Sequence, residues 1–492
     1  MRFAWVRGSE PLPGRTWPLV AAVLVLALAG GALTVAVHPI AAFAVLAAGI
    51  VGLVMVQDAF IALLVSIGVL YLLPFGVLPL GFLGGLKPTL LDASLTVLLL
   101  VWLLRRLARP EEPPVLTPVA GPLALFLGLA FVSLILGIES TSDEVLRFFI
   151  KTVNSLLFYV SVVNVMRDRP QLLTAVRALT ALAIAAAAIA LMLYFLSTDL
   201  ANRLLSLLRP LGYPSGDVLR FIAYTDTQRA IGTAIDPNVL GGMLLIALPL
   251  LLVQLFGEVQ TLPRRWLTVG LGLVVLALLL TYSRSSWIGA VGAALFVIAT
   301  RYRRAVLPLA GLLAALLLLP QGELFVGRFQ EGIAFQDLAA QMRLGEYKDA
   351  LALIERYPWF GVGFGQSPDV SLYVAVASIY LLIAEQMGLI GLAAFLLTMA
   401  TFAIWMAQQR RTATDAPLKA LQLGLNAGVV GALVAGLFDH YFMNLQFPHT
   451  VALFWLFVGL AAAASRLGGL EPASAENEGA ILIRPSGAAP IV

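Results

Sequence analysis

Five basic residues from four separate parts of the sequence are candidates to bind a single anionic group. Arg284 lies in a short polar segment between two long apolar runs, and Arg147 and Lys151 are four residues apart, which puts them on one face of a helix. Arg229 and Arg343 lie in the two longest segments between apolar runs. Guanidinium and ammonium groups bind phosphate oxygens, and a guanidinium can do so with two parallel hydrogen bonds. The pattern predicts a binding site for a phosphate-bearing lipid. The alternative is that these side chains only reach outward to lipid head groups.

Four other residues could accept and return a proton. Glu385 lies inside a predicted membrane span, where a carboxylate is a candidate functional group. Asp439, His440 and His449 lie in and beside the last predicted outer loop, and a histidine next to an aspartate can act as a general base. A histidine in a short loop is also often a structural residue held by hydrogen bonds. The sequence does not choose among the four.

The composition predicts a membrane protein without a metal centre. The chain has 492 residues, of which 60% are hydrophobic and 12% charged, and its mean hydropathy is +0.95. These values are typical of an all-α, polytopic integral membrane protein and exclude a soluble globular domain. The absence of cysteine excludes disulfides, thiol catalysis and cysteine metal sites, and three histidines disfavour a histidine-rich site. We therefore expect no metal and no cofactor. Because the net charge of +4 lies mostly in short loops, we also expect no nucleic-acid partner.

Apolar runs long enough to cross about 30 Å of hydrocarbon predict about fourteen transmembrane helices. They fall near residues 17–37, 40–56, 60–79, 88–104, 119–138, 145–165, 173–196, 237–256, 266–282, 286–300, 305–319, 378–405, 418–437 and 450–465. The second and third runs are short, so they could instead form one broken or re-entrant element. The first run is too long for the core of a signal peptide, and we expect it to be a retained helix.

Clusters of Lys and Arg in alternate loops predict the orientation in the membrane. They fall at 105–109, 167–169, 264–265, 301–304 and 410–419, while the other short connections have almost none. The positive-inside rule then puts both termini in the cytoplasm. The predicted organisation is a cytoplasmic N-terminus at 1–16, transmembrane helices over 17–319 with an outer loop at 197–236, a large extracytoplasmic loop at 320–377, further transmembrane helices over 378–466, and a disordered cytoplasmic tail at 467–492.

Both outer loops contain signals for helices. In the first loop, Asp236 followed by Pro237 predicts the N-cap and the first residue of the next helix. In the large loop, an amphipathic helix that ends before Pro358 is predicted from apolar residues at Leu338, Met342, Tyr347, Leu351 and Ile354.

Four motifs come in an order that resembles a known family. They are Arg229-Ala-Ile-Gly-Thr-Ala-Ile-Asp-Pro-Asn238, Ser283-Arg284, Arg343 followed by Pro358-Trp-Phe-Gly-Val-Gly-Phe-Gly365, and Tyr380 followed by Glu385-Gln-Met-Gly-Leu-Ile-Gly391. Over residues 220–395 the chain resembles the O-antigen ligase / O-antigen polymerase family of bacterial envelope enzymes. Each motif alone is weak, and the ordered set is more specific.

The resemblance implies a fold, a reaction and a set of roles. The fold would be a GT-C-like bundle with a helical extracytoplasmic loop. The reaction would be glycosyl transfer at the outer face of the bacterial cytoplasmic membrane, from a glycan on undecaprenyl diphosphate to a saccharide acceptor, without a nucleotide sugar or a metal. By similarity, Arg284, Arg229 and Arg343 would contact the donor diphosphate and assist its departure.

The chain departs from the family at one position that matters. Ligases of this family typically have a His-Asn pair at the outer start of the helix after the large loop, where this chain has Ala377-Ser378. The difference favours a polymerase or another polysaccharide transferase over a ligase acting on lipid A-core. The base would then be His440, His449, Asp439 or Glu385. The alternatives are a transporter or flippase of lipid-linked glycans and a catalytically silent relative; clustering of Lys and Arg near the span ends favours a one-sided enzyme.

Overall fold

The computed structural model describes residues 39–78, 88–222, 225–257, 259–301, 338–365, 376–412 and 415–469, with single positions at 303, 307, 311 and 327. The predicted span at 17–37, most of the span at 305–319, the tail beyond 469 and parts of the large loop lie outside the described residues. Within them the chain forms fourteen α-helices and one sheet of two very short strands. The prediction of an all-α, polytopic membrane protein is confirmed.

The helices before the first outer loop are α1 (Pro39–Gln57), α2 (Ala59–Leu72), α3 (Leu90–Ala108), α4 (Ala120–Leu136), α5 (Asp143–Val165) and α6 (Arg169–Phe195). That loop contains α7 (Thr198–Ser206) and the antiparallel strands β1 (Arg220–Phe221) and β2 (Gln228–Arg229). The remaining helices are α8 (Pro237–Phe256), α9 (Arg264–Leu280), α10 (Arg284–Thr300), α11 (Leu338–Arg356), α12 (Ile379–Thr412), α13 (Ala416–Ala435) and α14 (Pro448–Gly468). Short 3₁₀ turns occupy Ile138–Ser140, Arg209–Leu211 and Gly232–Ala234.

The second and third predicted spans are two helices separated by one residue, Asp58. Its carboxylate accepts a hydrogen bond from the backbone N–H of Phe60 at 2.8 Å, so it caps α2. α2 ends at Leu72, earlier than the predicted limit of 79. The cause is Pro74, because a residue before proline is disfavoured in the helical region, and Leu73 has φ −137° and ψ 51°.

The predicted start of α8 is confirmed. Asp236 Oδ1 accepts from the backbone N–H of Asn238 at 2.8 Å and of Val239 at 3.0 Å, and Pro237 is the first helical residue. A proline is tolerated there because the first amides of a helix have no partner within the helix. This cap anchors the helix end nearest to Arg229.

Six of the described helices are long and apolar enough to cross a membrane: α5, α6, α8, α12, α13 and α14. In the most apolar stretches of α8 and α14, 89% of the residues are buried, against 44% in α6 and α12. α8 and α14 are therefore central, and α6 and α12 are peripheral. α13 packs on both central helices and on α10. At the α10–α13 contact, a Cβ on Gly289 would lie 2.6 Å from the carbonyl oxygen of Gly431. Small residues thus permit the close backbone approach on which helix association in membranes depends.

α12 is broken at Gly388, where a continuous span was predicted. Gly388 has φ 69° and ψ −177°, a conformation available to glycine and strongly disfavoured for other residues. The segment 358–363 lies alongside the break: the carbonyls of Glu385 and Gln386 accept from the amides of Val362 and Gly363, and the carbonyls of Pro358 and Trp359 accept from the amides of Leu389 and Ile390. The glycine-rich segment therefore supplies the backbone partners that the break removes from the helix.

The predicted amphipathic helix is present as α11, but its buried face differs from the predicted stripe. Met342 and Leu351 are exposed, whereas Ala340, Ala350 and Leu353 are buried. The reason is that α11 packs through the small residues Ala340 and Ala350 and directs the polar side chains of Arg343 and Glu346 into the protein. A prediction from apolar periodicity places such polar side chains in solvent.

The predicted cytoplasmic clusters of Lys and Arg gather at one end of the bundle, which we call the basic end. Side-chain contacts at this end run from Arg105 to the Gln57 carbonyl, from Arg109 and Arg167 to Glu112, from Arg169 to Asp415, from Arg410 to the Thr300 carbonyl, and from Arg466 to the Met166 carbonyl. The segments that contain Arg229, Arg284 and Arg343 meet at the opposite end.

Candidate active site

Asp439, in the connection between α13 and α14, joins three parts of the fold at the end opposite to the basic end. Its Oδ2 accepts from Arg343 Nη2 of α11 at 3.1 Å and from Ser285 Oγ of α10 at 3.1 Å. Its Oδ1 accepts from the backbone N–H of His440 at 3.0 Å. Asp439 is buried, and a buried carboxylate needs such partners to be stable. The arrangement fixes the position of the Arg343 guanidinium.

The short turn between α9 and α10 presents buried hydroxyl groups beside Arg284. Ser283 Oγ is 2.9 Å from Ser286 Oγ, and Ser286 Oγ is 3.2 Å from the Tyr441 hydroxyl. Tyr282 has φ 49°, a left-handed conformation that turns the chain sharply between the two helices. Arg284 is the first residue of α10 and is half-buried. It is thus next to Ser285, the direct partner of Asp439.

Arg229 is attached to the same turn. Its Nε donates to the Thr281 carbonyl at 2.8 Å, and its Nη2 donates to Asn238 Oδ1 at 2.8 Å. The amide of Ala230 donates to the Leu280 carbonyl at 2.8 Å, which fixes β2 against the end of α9. Arg229 and Arg284 are therefore brought to one turn although they are far apart in sequence.

His440 lies against the backbone just before Ala377. Its Nδ1 is 3.1 Å from the Val376 carbonyl oxygen, and its ring stacks on Phe447 with an interplanar angle of 12°. A carbonyl oxygen can only accept, so Nδ1 must carry the proton in this hydrogen bond. In the neutral ring, Nε2 then has the free lone pair that a general base requires.

Glu346 and Tyr347 of α11 hold the other side of Ala377. Glu346 Oε2 accepts from the Ala377 amide at 3.0 Å, and the Tyr347 hydroxyl donates to the Ala377 carbonyl at 3.0 Å. Burial raises the pKa of Glu346 above its usual value, although the Ala377 amide, His440 and Arg343 oppose the rise. The sequence did not indicate Glu346; the available signal was its position one turn after Arg343, on the same helical face.

The four remaining predicted residues have other surroundings. Lys151 Nζ forms an ion pair with Asp92 Oδ2 at 2.9 Å, and Arg147 lies half-buried one turn earlier on α5. His449 is buried at the start of α14, with its ring 4.6 Å from that of Phe75. Glu385 lies at the contact between α12 and the segment 358–363. Across the part of the chain that the structure describes, no group of three or more His, Cys, Asp or Glu side chains is placed to hold a metal ion.

Comparison with known proteins adds one finding. A family model described as O-antigen ligase matches residues 269–396. This confirms the resemblance predicted from the motifs, and it supports a glycosyl-transferring enzyme that uses a lipid-linked glycan and an acceptor. The matched region runs from within α9 to the first half of α12, and it contains Arg284, Arg343 and Glu346. Arg229, Asp439 and His440 lie outside it. No curated protein matches the chain.

Proposed function

We propose that the protein transfers or polymerises glycans from an undecaprenyl-diphosphate-linked donor on the outer face of the bacterial cytoplasmic membrane, without a metal. The observation that carries the proposal is the meeting of Arg343, Asp439 and His440 beside Arg284 and the Ala377 backbone. It puts fixed positive charge next to a candidate base, within and beside the region that matches the O-antigen ligase family model. The basic end faces the cytoplasm in this proposal, by the positive-inside rule.

In the proposed mechanism, an acceptor hydroxyl attacks the anomeric carbon of the donor glycan. His440 Nε2 takes the hydroxyl proton as the new C–O bond forms. The bond between the anomeric carbon and the diphosphate breaks, and its electron pair stays on the diphosphate oxygen. Arg343, Arg284 and Arg229 stabilise the charge that develops on this leaving group, a role that fixed cations perform well in a site shielded from water. Displacement in one step inverts the anomeric configuration.

His440 is the preferred base among the four candidates. Its hydrogen bond to Val376 puts its ring next to the position where ligases of the family typically have histidine and this chain has Ala377. His449 is buried among aromatic rings, which leaves no room for an acceptor sugar at its ring. The carboxylate oxygens of Asp439 already accept three hydrogen bonds, so it orients Arg343 rather than taking a proton. Glu385 stays a candidate on the α12 side.

Arg147 and Lys151 stay predicted contacts of the diphosphate, with one qualification from their surroundings. The Asp92 carboxylate is 2.9 Å from Lys151 Nζ and competes with phosphate oxygens for it. Asp92 is itself held by the capping box that begins α3, so it does not move away easily. Asp439 likewise pairs with Arg343, but through Nη2, and a guanidinium has five N–H donors against three in an ammonium. We therefore infer that Arg343, Arg284 and Arg229 contribute more to donor binding than Lys151.

The test is turnover of a purified lipid-diphosphate-linked oligosaccharide with a saccharide acceptor, measured as new glycosidic bonds by mass spectrometry. We expect His440→Gln to lower the rate about 10²–10⁴-fold, the usual contribution of a general base. His449→Phe is the matched control, since it replaces one buried aromatic ring by another. Arg343→Gln is expected to lower the rate about 10²–10³-fold. Lys348→Gln, at an exposed position on the same helix, should leave it unchanged.

The same assay separates the alternatives. Longer glycans on the lipid donor indicate a polymerase, and transfer to a separate acceptor indicates a ligase. Movement of the lipid across liposomes without new bonds indicates a transporter, and neither outcome indicates a silent relative. Full activity in both His440→Gln and Arg343→Gln would remove this cluster from the active site.

A further inference from the structure

A polar cavity lies at the basic end, on the far side of the bundle from the candidate active site. Its volume is about 540 Å³, within the range of pockets that bind small ligands. Five arginines line it: Arg105 and Arg106 near the end of α3, Arg109 just after it, Arg167 before α6, and Arg466 near the end of α14. Three parts of the fold, the end of α3, the residues before α6 and the end of α14, thus direct guanidinium groups to one cavity.

The lining has an excess of positive charge. Two carboxylates, Asp58 and Glu112, face the five guanidinium groups, which gives a formal charge of +3 (5 − 2). Asp58 is engaged as the cap of α2. Glu112 pairs with Arg109 at 3.4 Å and Arg167 at 3.5 Å, and all three side chains are at least 50% exposed, so these pairs stabilise little.

Neutral backbone groups hold the other three arginines. Arg105 donates to the Gln57 carbonyl, and Arg106 Nη1 donates to the carbonyls of Arg109 at 2.8 Å and Pro110 at 2.9 Å. Arg466 donates to the Met166 carbonyl, and its buried Nε has no hydrogen-bond partner among the described residues. Carbonyl groups orient guanidinium groups without neutralising their charge. The cavity therefore has fixed, pre-oriented donors that are not matched by anions of the chain's described part.

We propose that this cavity binds a phosphate-bearing anion at the basic end of the bundle, as a site separate from the one that holds the donor. Arginine forks match phosphate oxygens in geometry, and basic pockets between transmembrane helices bind the head groups of acidic lipids. Trp102, an amphipathic side chain typical of the membrane–water interface, also lines the cavity. The ligand is either the head group of an acidic phospholipid or a soluble phosphate compound. The site does not depend on the proposed glycosyl transfer.

Two probes distinguish these sources. The first is cardiolipin, titrated into the detergent-purified full chain and followed by native mass spectrometry, with phosphatidylcholine as the neutral reference. The second is inorganic pyrophosphate, followed by the shift of the thermal denaturation midpoint. We expect the wild-type protein to prefer at least one of them over its reference, cardiolipin over phosphatidylcholine or pyrophosphate over chloride at equal ionic strength.

Two kinds of variant change the affinity in opposite directions. Arg109→Gln with Arg167→Gln removes two exposed charges of the cavity, and we expect about a five-fold loss of affinity for each charge, or about 25-fold together. Glu112→Gln removes an acid from the same lining and should tighten binding, up to about five-fold. The matched control is Arg265→Gln with Arg411→Gln, which removes the same charge from exposed positions of the predicted cytoplasmic face outside the cavity.

Each outcome decides the proposal. Loss of cardiolipin binding in the cavity variant but not in the control assigns the site to a lipid head group. Loss of the pyrophosphate shift alone assigns it to a soluble phosphate compound. Equal binding of both probes by the wild type, the cavity variant, the control and Glu112→Gln would overturn the proposal.

Discussion

Arg343, Glu346 and Tyr347 show how one helical face of α11 can serve two tasks. Arg343 points to the Asp439 carboxylate, while Glu346 and Tyr347 grip the two sides of the Ala377 peptide. The same face therefore positions the cation that we propose for the donor, and it holds the backbone that contacts His440. A change in Glu346 would then act on His440 through residues 376 and 377.

The raised pKa of Glu346 predicts a pH dependence of stability. A carboxyl group whose pKa is higher in the folded than in the unfolded protein contributes most below its unfolded value, here 4.5, and this contribution is lost as pH rises through the folded pKa. We expect the thermal denaturation midpoint of the wild type to fall over that window, from about pH 4.5 upward. Glu346→Gln, which stays neutral, should flatten this part of the profile.

Differential scanning fluorimetry in detergent from pH 4 to 8 measures the effect, with Asp349→Asn on the same helix as the control. If the two variants change the profile equally, Glu346 is not the responsible group. A second reading is the pH profile of turnover, which Glu346→Gln should shift if the grip on Ala377 positions His440.

At the residue scale, the sequence indicated which side chains are candidates for chemistry, but not which groups they contact. Arg343, Asp439 and His440 were identified because a cation, a carboxylate and an imidazole at an outer face suggest chemistry. Glu346 was missed because an acid one turn from an arginine looks like a surface ion pair, and only the fold brings Ala377 to it. The pairing of Lys151 with Asp92 was missed for the same reason, since it depends on the packing of α3 against α5.

At the scale of elements, the break in α12 depends on an exchange of backbone hydrogen bonds. The two carbonyls before Gly388, those of residues 385 and 386, would accept from the amides of residues 389 and 390 in a continuous helix. All four groups instead pair with the segment 358–363. Ser133 of α4 adds hydrogen bonds to the carbonyls of Phe360 and Gln386, which seals the junction. Residues beyond the break, 388–412, still measure about 38 Å at 1.5 Å per residue, enough to cross the hydrocarbon core.

Gly388→Ala should weaken this junction. An added Cβ would lie 2.1 Å from the Trp359 carbonyl oxygen, and the backbone conformation itself costs a non-glycine residue about 1–3 kcal/mol. We expect a lower thermal midpoint and a lower yield of folded protein in detergent. Gly128→Ala in α4 is the matched control, since its Cβ would meet nothing within 4 Å and alanine favours helix by about 1 kcal/mol. Equal midpoints for the two variants would contradict this account of the break.

Hydropathy predicted the ends of the described spans to within about four residues, except for the ends of α2 and α12, which differ by seven. It succeeds because a helix that crosses the hydrocarbon needs a long apolar run. It could not predict the break, since the span around Gly388 is apolar enough on average to cross the membrane, and the conformation of Gly388 depends on the segment 358–363. It also misassigned the buried face of α11, where Ala340 and Ala350 make the contact and Met342 stays exposed.

At the scale of the whole molecule, the two ends differ in charge and in the roles that we propose for them. The candidate active site and the arginine-lined cavity lie at opposite ends, so each would meet a different side of the membrane. The orientation that we propose, with the basic end in the cytoplasm, rests on the distribution of Lys and Arg.

Single-cysteine labelling tests this orientation, since the chain has no native cysteine. Ser215→Cys, exposed in the first outer loop, should react with a membrane-impermeant maleimide in intact cells. Glu111→Cys, exposed beside the arginine-lined cavity, should react only after lysis. The reverse pattern would invert the topology and would put the candidate active site in the cytoplasm.

The break in α12 also has a consequence for biosynthesis. The ribosome makes residues 358–363 before it makes α12, so their unpaired amides and carbonyls wait for a helix that has not yet emerged. When α12 enters the membrane, the two carbonyls before Gly388 and the two amides after it have no hydrogen-bond partner within the helix itself. We therefore expect residues 358–363 and α12 to fold together. A chain that ends between them would leave the backbone groups of residues 358–363 without these hydrogen bonds.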